Sequence, residues 1–147
     1  MTNLELVNEA REFMEMAHTG QTRWDGRPYK VHPSKVVEIL LSFGINDEVL
    51  LCSGYLHDVP EDTKYTVTDI ENKFGPVIAK IVAELTYPPK CTDEQYWTHT
   101  KELSPQAKLI KTADILANLT DTGHKSAHFI ARRLRALQIM WQPEVMA

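Results

Sequence analysis

LHDVPEDT, residues 56–63, is the stretch from which this chain is best read. It closes an apolar run, Val49 to Leu56, with an imidazole and a carboxylate side by side, His57 and Asp58. Two more carboxylates, Glu61 and Asp62, follow one helical turn later. Charge at the end of an apolar segment is costly unless something satisfies it. The simplest satisfying partner for imidazole and carboxylate together is a divalent metal ion.

Working outward, the pattern on both sides is helical. Leu6, Val7, Ala10, Phe13, Met14 and Ala17 recur at three- and four-residue spacing, which predicts an amphipathic helix over about 3–18. The stretch TGQTRWDGRPYKVH (19–32) has two glycines and a proline and reads as an ordered loop. Pro33 suits the first turn of a second helix that stops at Gly44. Asp47 caps a third helix running to about Val59, and Pro60 is expected to end or kink it, leaving Glu61 and Asp62 in a turn. Thr66 and Gly75 bracket the next helix, and Pro76 starts another to about Leu85. Residues 86–105 carry consecutive prolines and one short helix. Pro105 opens a long helix to about Leu119, and a last one covers roughly Ala127 to Trp141. No segment alternates as a strand would. Many short helices with frequent breakers predict an all-α, compact orthogonal bundle.

Composition narrows the class. A chain of 147 residues is expected to be a single domain over 1–147 with a sizeable core. The net charge of −4 does not suggest a nucleic-acid polymer or an anionic membrane as partner. The longest apolar run is too short for a bilayer and contains Ser53 and Gly54. The acidic, amphipathic N-terminus is unlike a signal peptide. The two cysteines, Cys52 and Cys91, form no disulfide or zinc-finger framework, so a reducing cytoplasm is the expected location. Cys52, within an apolar helix, reads as a small core residue.

His57 and Asp58 are neighbours, so on an ideal helix they point about 100° apart. Both reach one ion only at the helix edge. His32 from the preceding loop and Asp114 from the late helix complete a set of two imidazoles and two carboxylates. Mixed N/O ligation without thiolate favours Mn²⁺, Fe²⁺ or Zn²⁺ over Ca²⁺. His32 or Asp114 taken alone reads more readily as a surface or capping residue. Glu61 and Asp62 taken alone read equally as a solvated acidic turn.

Four segments in order carry a resemblance: AHTGQTRWDGRPYKVHP (17–33), GYLHDVPEDT (54–63), FGPVIAKIVAELT (74–86) and KTADILANLTD (111–121). Together they resemble the HD superfamily, and within it the Rel/SpoT-type alarmone hydrolases. Nearest in size are the stand-alone small hydrolases that have no synthetase domain. The resemblance implies one Mn²⁺ held by His32, His57, Asp58 and Asp114. It implies removal of the 3′-pyrophosphate from guanosine 3′,5′-bis(diphosphate), with a divalent ion acidifying the attacking water and polarising a phosphoryl oxygen. Glu61 and Asp62 would orient or deprotonate that water. Asn118 would contact substrate. Lys111, three residues before Asp114, would neutralise phosphate or pair with Asp114. Arg23 would pack its planar guanidinium against the purine.

Departures from the family's pattern concern the base end. Trp24 and Asp25 follow Arg23 where relatives usually have Lys or a small polar residue. Trp24 is either a second stacking surface or core. Ile115 and Ala117 replace Arg and His of common relatives. A different nucleotide, such as an adenosine alarmone, and a catalytically silent nucleotide- or protein-binding module are the alternatives. The expected partners are a small nucleotide and, functionally, a cognate small alarmone synthetase. Self-association through Trp141 and the tail to Ala147 stays open. Tyr96, Trp97, Met140, His99, His124 and His128 are expected to be packing, surface or capping residues.

Overall fold

The computed structural model describes residues 3–121, 123 and 125–142. His124 and the tail after Gln142 lie outside them. The elements are α1 (Asn3–Ala17), α2 (Val31–Ser42), α3 (Glu48–Leu56), α4 (Val59–Asp62), α5 (Val67–Phe74), α6 (Pro76–Glu84), α7 (Asp93–Lys101), α8 (Pro105–Thr120) and α9 (Ala127–Trp141). Among the described residues the one β feature is an isolated bridge, Thr22 to Pro28. The fold is all-α.

The helix starts follow local chemistry. Asp47 accepts from the Leu50 N–H at 3.0 Å, and Ser104 and Ser126 cap α8 and α9 in the same way. Thr66 with Asp69 and Thr92 with Gln95 form reciprocal capping boxes. Each such cap is worth about 1 kcal/mol. Gly75, at φ 92°, ends α5 and leads directly into Pro76 of α6.

One expectation is corrected here. Pro60 does not end the third helix. That helix stops at Leu56, and Pro60 sits in the first turn of the new helix α4, which contains Glu61 and Asp62. The first-turn N–H groups of a helix have no intrahelical partner, so proline loses nothing there. The break therefore falls on His57–Asp58.

α3 sits between the two halves of the core. One cluster joins Val36, Val37 and Leu40 of α2 to Ile110 and Ile115 of α8 and to Ala136 and Met140 of α9. The other joins Ala10 and Phe13 of α1 to Ile70, Phe74, Ile78 and Val82 of α5 and α6. α3 gives Leu50 and Leu51 to the first, and Cys52 and Leu56 to the second. Gly54 lets α2 approach: a Cβ there would lie 3.2 Å from Val37 Cγ2 and 3.3 Å from Leu40 Cδ1. A helix packed on both sides delivers its C-terminal His57 and Asp58 to a fixed place.

Candidate metal centre and cleft

His32 enters from the first turn of α2, His57 caps α3, Asp58 opens α4, and Asp114 sits mid-way along α8. His32, His57 and Asp114 are buried. One ligand atom from each of the four lies within 4.8 Å of the others. Donors about 2.1 Å from a common ion stand no more than about 4.2 Å apart, so small side-chain shifts close the shell.

The hydrogen bonds around these groups fix which atoms face inward. His57 Nδ1 donates to the Gly54 carbonyl at 2.7 Å. That leaves Nε2 as the inward nitrogen, the tautomer control seen in metal-ligating histidines. Nε2 lies 3.1 Å from Asp58 Oδ2 and 3.3 Å from Asp114 Oδ1. It is aligned for a hydrogen bond with neither and is left as an orphaned buried nitrogen. His32 Nε2 faces Asp114 Oδ1 at 2.8 Å.

The electrostatics describe a centre short of positive charge. Burial alone would push the His57 imidazolium down, but Asp58 and Asp114 raise it well above its ordinary value. Burial alone would raise Asp58 and Asp114. Instead His57 holds Asp58 below the usual carboxylate range, and Lys111, with His32 and His57, holds Asp114 well below it. A proton on His57 Nε2 relieves this in part. A divalent ion among the same atoms relieves it better, and the donor set is hard N/O without thiolate. These residues fit a divalent metal.

Around the four stand the other expected residues. Lys111 Nζ donates to Asp114 Oδ2 and Asn118 Nδ2 to Asp114 Oδ1, both at 3.3 Å. Glu61 Oε1 accepts from the Tyr87 N–H. Burial, with Asp58 and Asp62 nearby, pushes Glu61 up to about 7 against that bond and Lys111. Burial and Asp58 also raise Asp62. Asp58, Glu61 and Asp62 likewise bring oxygens within 4.8 Å of one another. The cleft has a volume of about 270 Å³ and includes Arg23 on its wall. Trp24 is not in it. Trp24 lines an adjoining compartment of about 450 Å³ with Arg23, Tyr29, Asn118, Lys125 and Phe129. At 63% exposed, Trp24 is not core.

Several residues of this site escape a reading of the sequence. The Tyr29 hydroxyl donates to Asp58 Oδ2 at 2.6 Å and to Asp62 Oδ2 at 3.3 Å. Gln21 Nε2 donates to the Asp62 carbonyl at 2.6 Å. Tyr96, expected only to pack, lines the cleft with Tyr87, and Lys111 Nζ lies 5.0 Å from the Tyr96 ring centroid and 4.5 Å from that of Tyr87. Arg133 of α9 also reaches the cleft. It donates to the Phe129 carbonyl, lies 3.5 Å over the Phe129 ring and makes no ion pair among the described residues. The signal for Arg133 is its four-residue spacing from Phe129 on one helix face. His128, by contrast, is exposed and bonds Asp93, and His99 packs on Tyr87. Trp141 donates to Thr112 Oγ1 at 2.7 Å, away from the cleft.

The chain belongs to the HD domain family, whose model matches residues 10–137. Within that family it is similar to the guanosine-3′,5′-bis(diphosphate) 3′-pyrophosphohydrolase MESH1 of Mus musculus. The two are 39% identical over 120 residues, 77% of this chain and 67% of that protein. It is similar as well to the guanosine-3′,5′-bis(diphosphate) 3′-pyrophosphohydrolase of Aquifex aeolicus, 33% identical over 78% of this chain and 17% of that longer protein. Among solved structures, a metazoan ortholog of SpoT described as hydrolyzing ppGpp superposes with a TM-score of 0.77. It is 29% identical, over 92% of this chain and 83% of that one.

Proposed function

We propose that this protein is a metal-dependent hydrolase that removes the 3′-pyrophosphate of guanosine 3′,5′-bis(diphosphate)-type alarmones. The observation that carries the reading is the convergence of His32, His57, Asp58 and Asp114 within 4.8 Å, with the orphaned His57 Nε2 among them. The chain's similarity to hydrolases named for this substrate supports the substrate class. Those four residues would hold one divalent ion; the donor set admits Mn²⁺, Fe²⁺ or Zn²⁺, and the family resemblance favours Mn²⁺. When bound, such an ion acidifies water and withdraws charge from a phosphoryl oxygen.

The chain's own residues supply the rest. Water adds to the phosphorus on the 3′-oxygen, that P–O bond breaks with its electron pair going to the 3′-oxygen, which takes up a proton, and the products are the 5′-diphosphate and pyrophosphate. Glu61, raised above an ordinary carboxylate by burial and by Asp58 and Asp62 nearby, would take the water's proton. Asp62, held by Tyr29, orients the same water. Lys111 and Arg133 face the cleft as cations for the phosphoryl oxygens. Asn118 borders both compartments, where the ribose between phosphate and base would pass. No helix among the described residues is long and apolar enough to cross a membrane. A cytoplasmic location and a functional pairing with a small alarmone synthetase complete the proposal.

The test is release of pyrophosphate from guanosine tetraphosphate by purified protein with added Mn²⁺, beside Asp58→Ala and with the adenosine counterpart in parallel. Metal-dependent release that vanishes in the variant is expected. Bound metal without release from the guanosine substrate would overturn the substrate assignment in favour of another nucleotide. No bound metal would overturn the enzyme and leave a binding module.

A further inference from the structure

Asp121 stands where helix physics does not call for a carboxylate. It is the C-cap of α8, at the negative end of the helix dipole, where an anion is disfavoured. Its side chain does not cap the helix. Oδ2 accepts from Arg23 Nη2 at 2.8 Å and Trp24 Nε1 at 3.3 Å, and Oδ1 accepts from Arg27 Nη2 at 2.9 Å. The Arg23 and Asp121 side chains are only 13% and 15% exposed, so this is a sheltered, charge-assisted contact. The Arg23 bond, more than any other contact, holds the Asp121 carboxyl well below its usual range.

All three donors come from one small hairpin. Tyr29 N–H donates to the Gln21 carbonyl and Arg23 N–H to the Arg27 carbonyl, each at 2.8 Å, and Gly26 turns the tip at φ 87°. Gln21 ties the base of the hairpin to Asp62. Asp121 ties its tip to α8. Asp121 is also the last member of a polar stripe on α8, after Lys111, Asp114 and Asn118 at three- and four-residue steps. One helix face therefore addresses both the metal cleft and the hairpin.

Pairing changes what Arg23 can do. With its charge offset by Asp121, it is a poor phosphate clamp, but its guanidinium plane stays fixed, with Cζ 5.9 Å from the Tyr29 ring centroid. The cleft cation without a carboxylate partner among the described residues, Arg133, lies on the metal side. The compartment of about 450 Å³ beyond Arg23 is walled by Trp24, Tyr29 and Phe129 together with Asp121 and Lys125, whose Nζ is turned to the Asp121 and Gly123 carbonyls. Phosphates belong at one end and an aromatic base at the other.

We propose that Asp121 is a positioning residue that holds Arg23 and Trp24 as a preformed wall for the purine base of the substrate. The identity of that ligand rests on the alarmone-hydrolase reading. Asp121 touches neither the metal centre nor the reacting phosphorus, so its removal acts on base binding and not on the chemical step. Rigid, prearranged walls raise affinity by sparing the ordering of side chains on binding.

The experiment uses the full chain and the isosteric Asp121→Asn. Guanosine 5′-diphosphate, which lacks the 3′-pyrophosphate, is titrated by calorimetry. kcat and KM are measured with guanosine tetraphosphate, and melting temperature and metal content are recorded. A base–aromatic contact is worth enough that affinity for the diphosphate is expected to fall, and KM to rise, about tenfold. kcat and metal content stay at the wild-type level. Unchanged affinity and KM, or a loss confined to kcat, overturns the proposal. Trp24→Phe keeps an aromatic face, though a smaller one, and removes the Nε1–H bond to Asp121, so it gives a second reading of the same tether if Asp121→Asn lowers folding. Weaker diphosphate binding in a protein that hydrolyses nothing would sink the hydrolase reading alone. Hydrolysis with diphosphate binding insensitive to both variants would sink this inference alone.

Discussion

The candidate metal centre and the proposed base compartment are built in opposite ways. The four candidate ligands come from α2, α8 and the junction of α3 with α4, and the neighbours of His57 in α3 are packed on two sides. Removing one ligand leaves the scaffold in place and uncovers a buried charge. The base compartment hangs on a hairpin at 21–29, tethered at one end by Gln21 and at the other by Asp121. Its most exposed aromatic, Trp24, has little packing to hold it. In the proposed reading, chemistry that needs accurate placement sits on packed helices, whereas substrate choice sits on a loop that can change without disturbing the core.

The comparison breaks first at the metal centre. Asp58→Ala and Asp114→Ala are expected to lose bound metal and, because metal assistance is worth several kcal/mol, to lower kcat by at least about 10³-fold. Metal content by plasma emission and pyrophosphate release check this together. Chelation of the wild type is expected to lower its melting temperature, since Asp58, Asp114 and His57 Nε2 then face one another with only a proton between them. A chelated protein that melts unchanged would mean that the centre holds no ion.

Glu61→Gln is next, with a loss of about 10²–10⁴-fold in kcat, the usual range for a general base. The sign of the pH dependence follows from its raised value. In the metal-free protein the carboxylate form appears only as pH rises through about 7. An ion beside it lowers that midpoint, so the rising limb of log kcat against pH lies at or below 7 and disappears in Glu61→Gln. For folding the sign is opposite. A carboxyl whose folded value is raised stabilises the metal-free protein at low pH, and that contribution is lost as pH climbs from the ordinary 4.5 to about 7. Glu61 opens onto the cleft, and solvent screening keeps the effect small.

The same contrast explains what could be read from the sequence. Helices α1, α2, α5, α6, α8 and α9 are legible because caps and periodicity agree, as at Thr66 and Gly75. The clustered quartet is legible because His57–Asp58 ends an apolar run, and the ordered motifs then point to His32 and Asp114. The sequence alone points to Pro60 for a break that falls at His57–Asp58, because proline starts helices as readily as it ends them. Tyr29, Tyr96, Arg133 and Asp121 were invisible because their roles depend on contacts far along the chain. Arg23 and Asp121 are 98 residues apart. No local spacing encodes such a pair.

Arg133→Ala sharpens the phosphate end. It removes a cleft cation with no ion pair among the described residues, so no buried carboxylate is stranded. A charged hydrogen bond is worth about 1.5–3 kcal/mol. kcat/KM for guanosine tetraphosphate is expected to fall roughly tenfold to a hundredfold by that measure, with metal content unchanged. Equal activity in the variant would move the phosphates away from α9.

Gly123→Ala is the smallest perturbation and the most diagnostic of the base end. Gly123 adopts φ 118°, a conformation that side chains rarely take. A Cβ there would also lie 2.6 Å from Trp24 Cζ2, closer than any real contact. The indole is the far end of an exposed side chain, so it moves, and the core does not register the change. The strain itself costs about 1 kcal/mol, within the range for a non-glycine residue in such a region. That corresponds to a small drop in melting temperature. The displaced Trp24 loses its bond to Asp121, so KM is expected to rise about two- to fivefold, less than a full stacking contact, while kcat and metal content hold. A lower kcat at constant KM would instead tie the loop to the chemical step and erase the division of labour between the packed centre and the tethered wall.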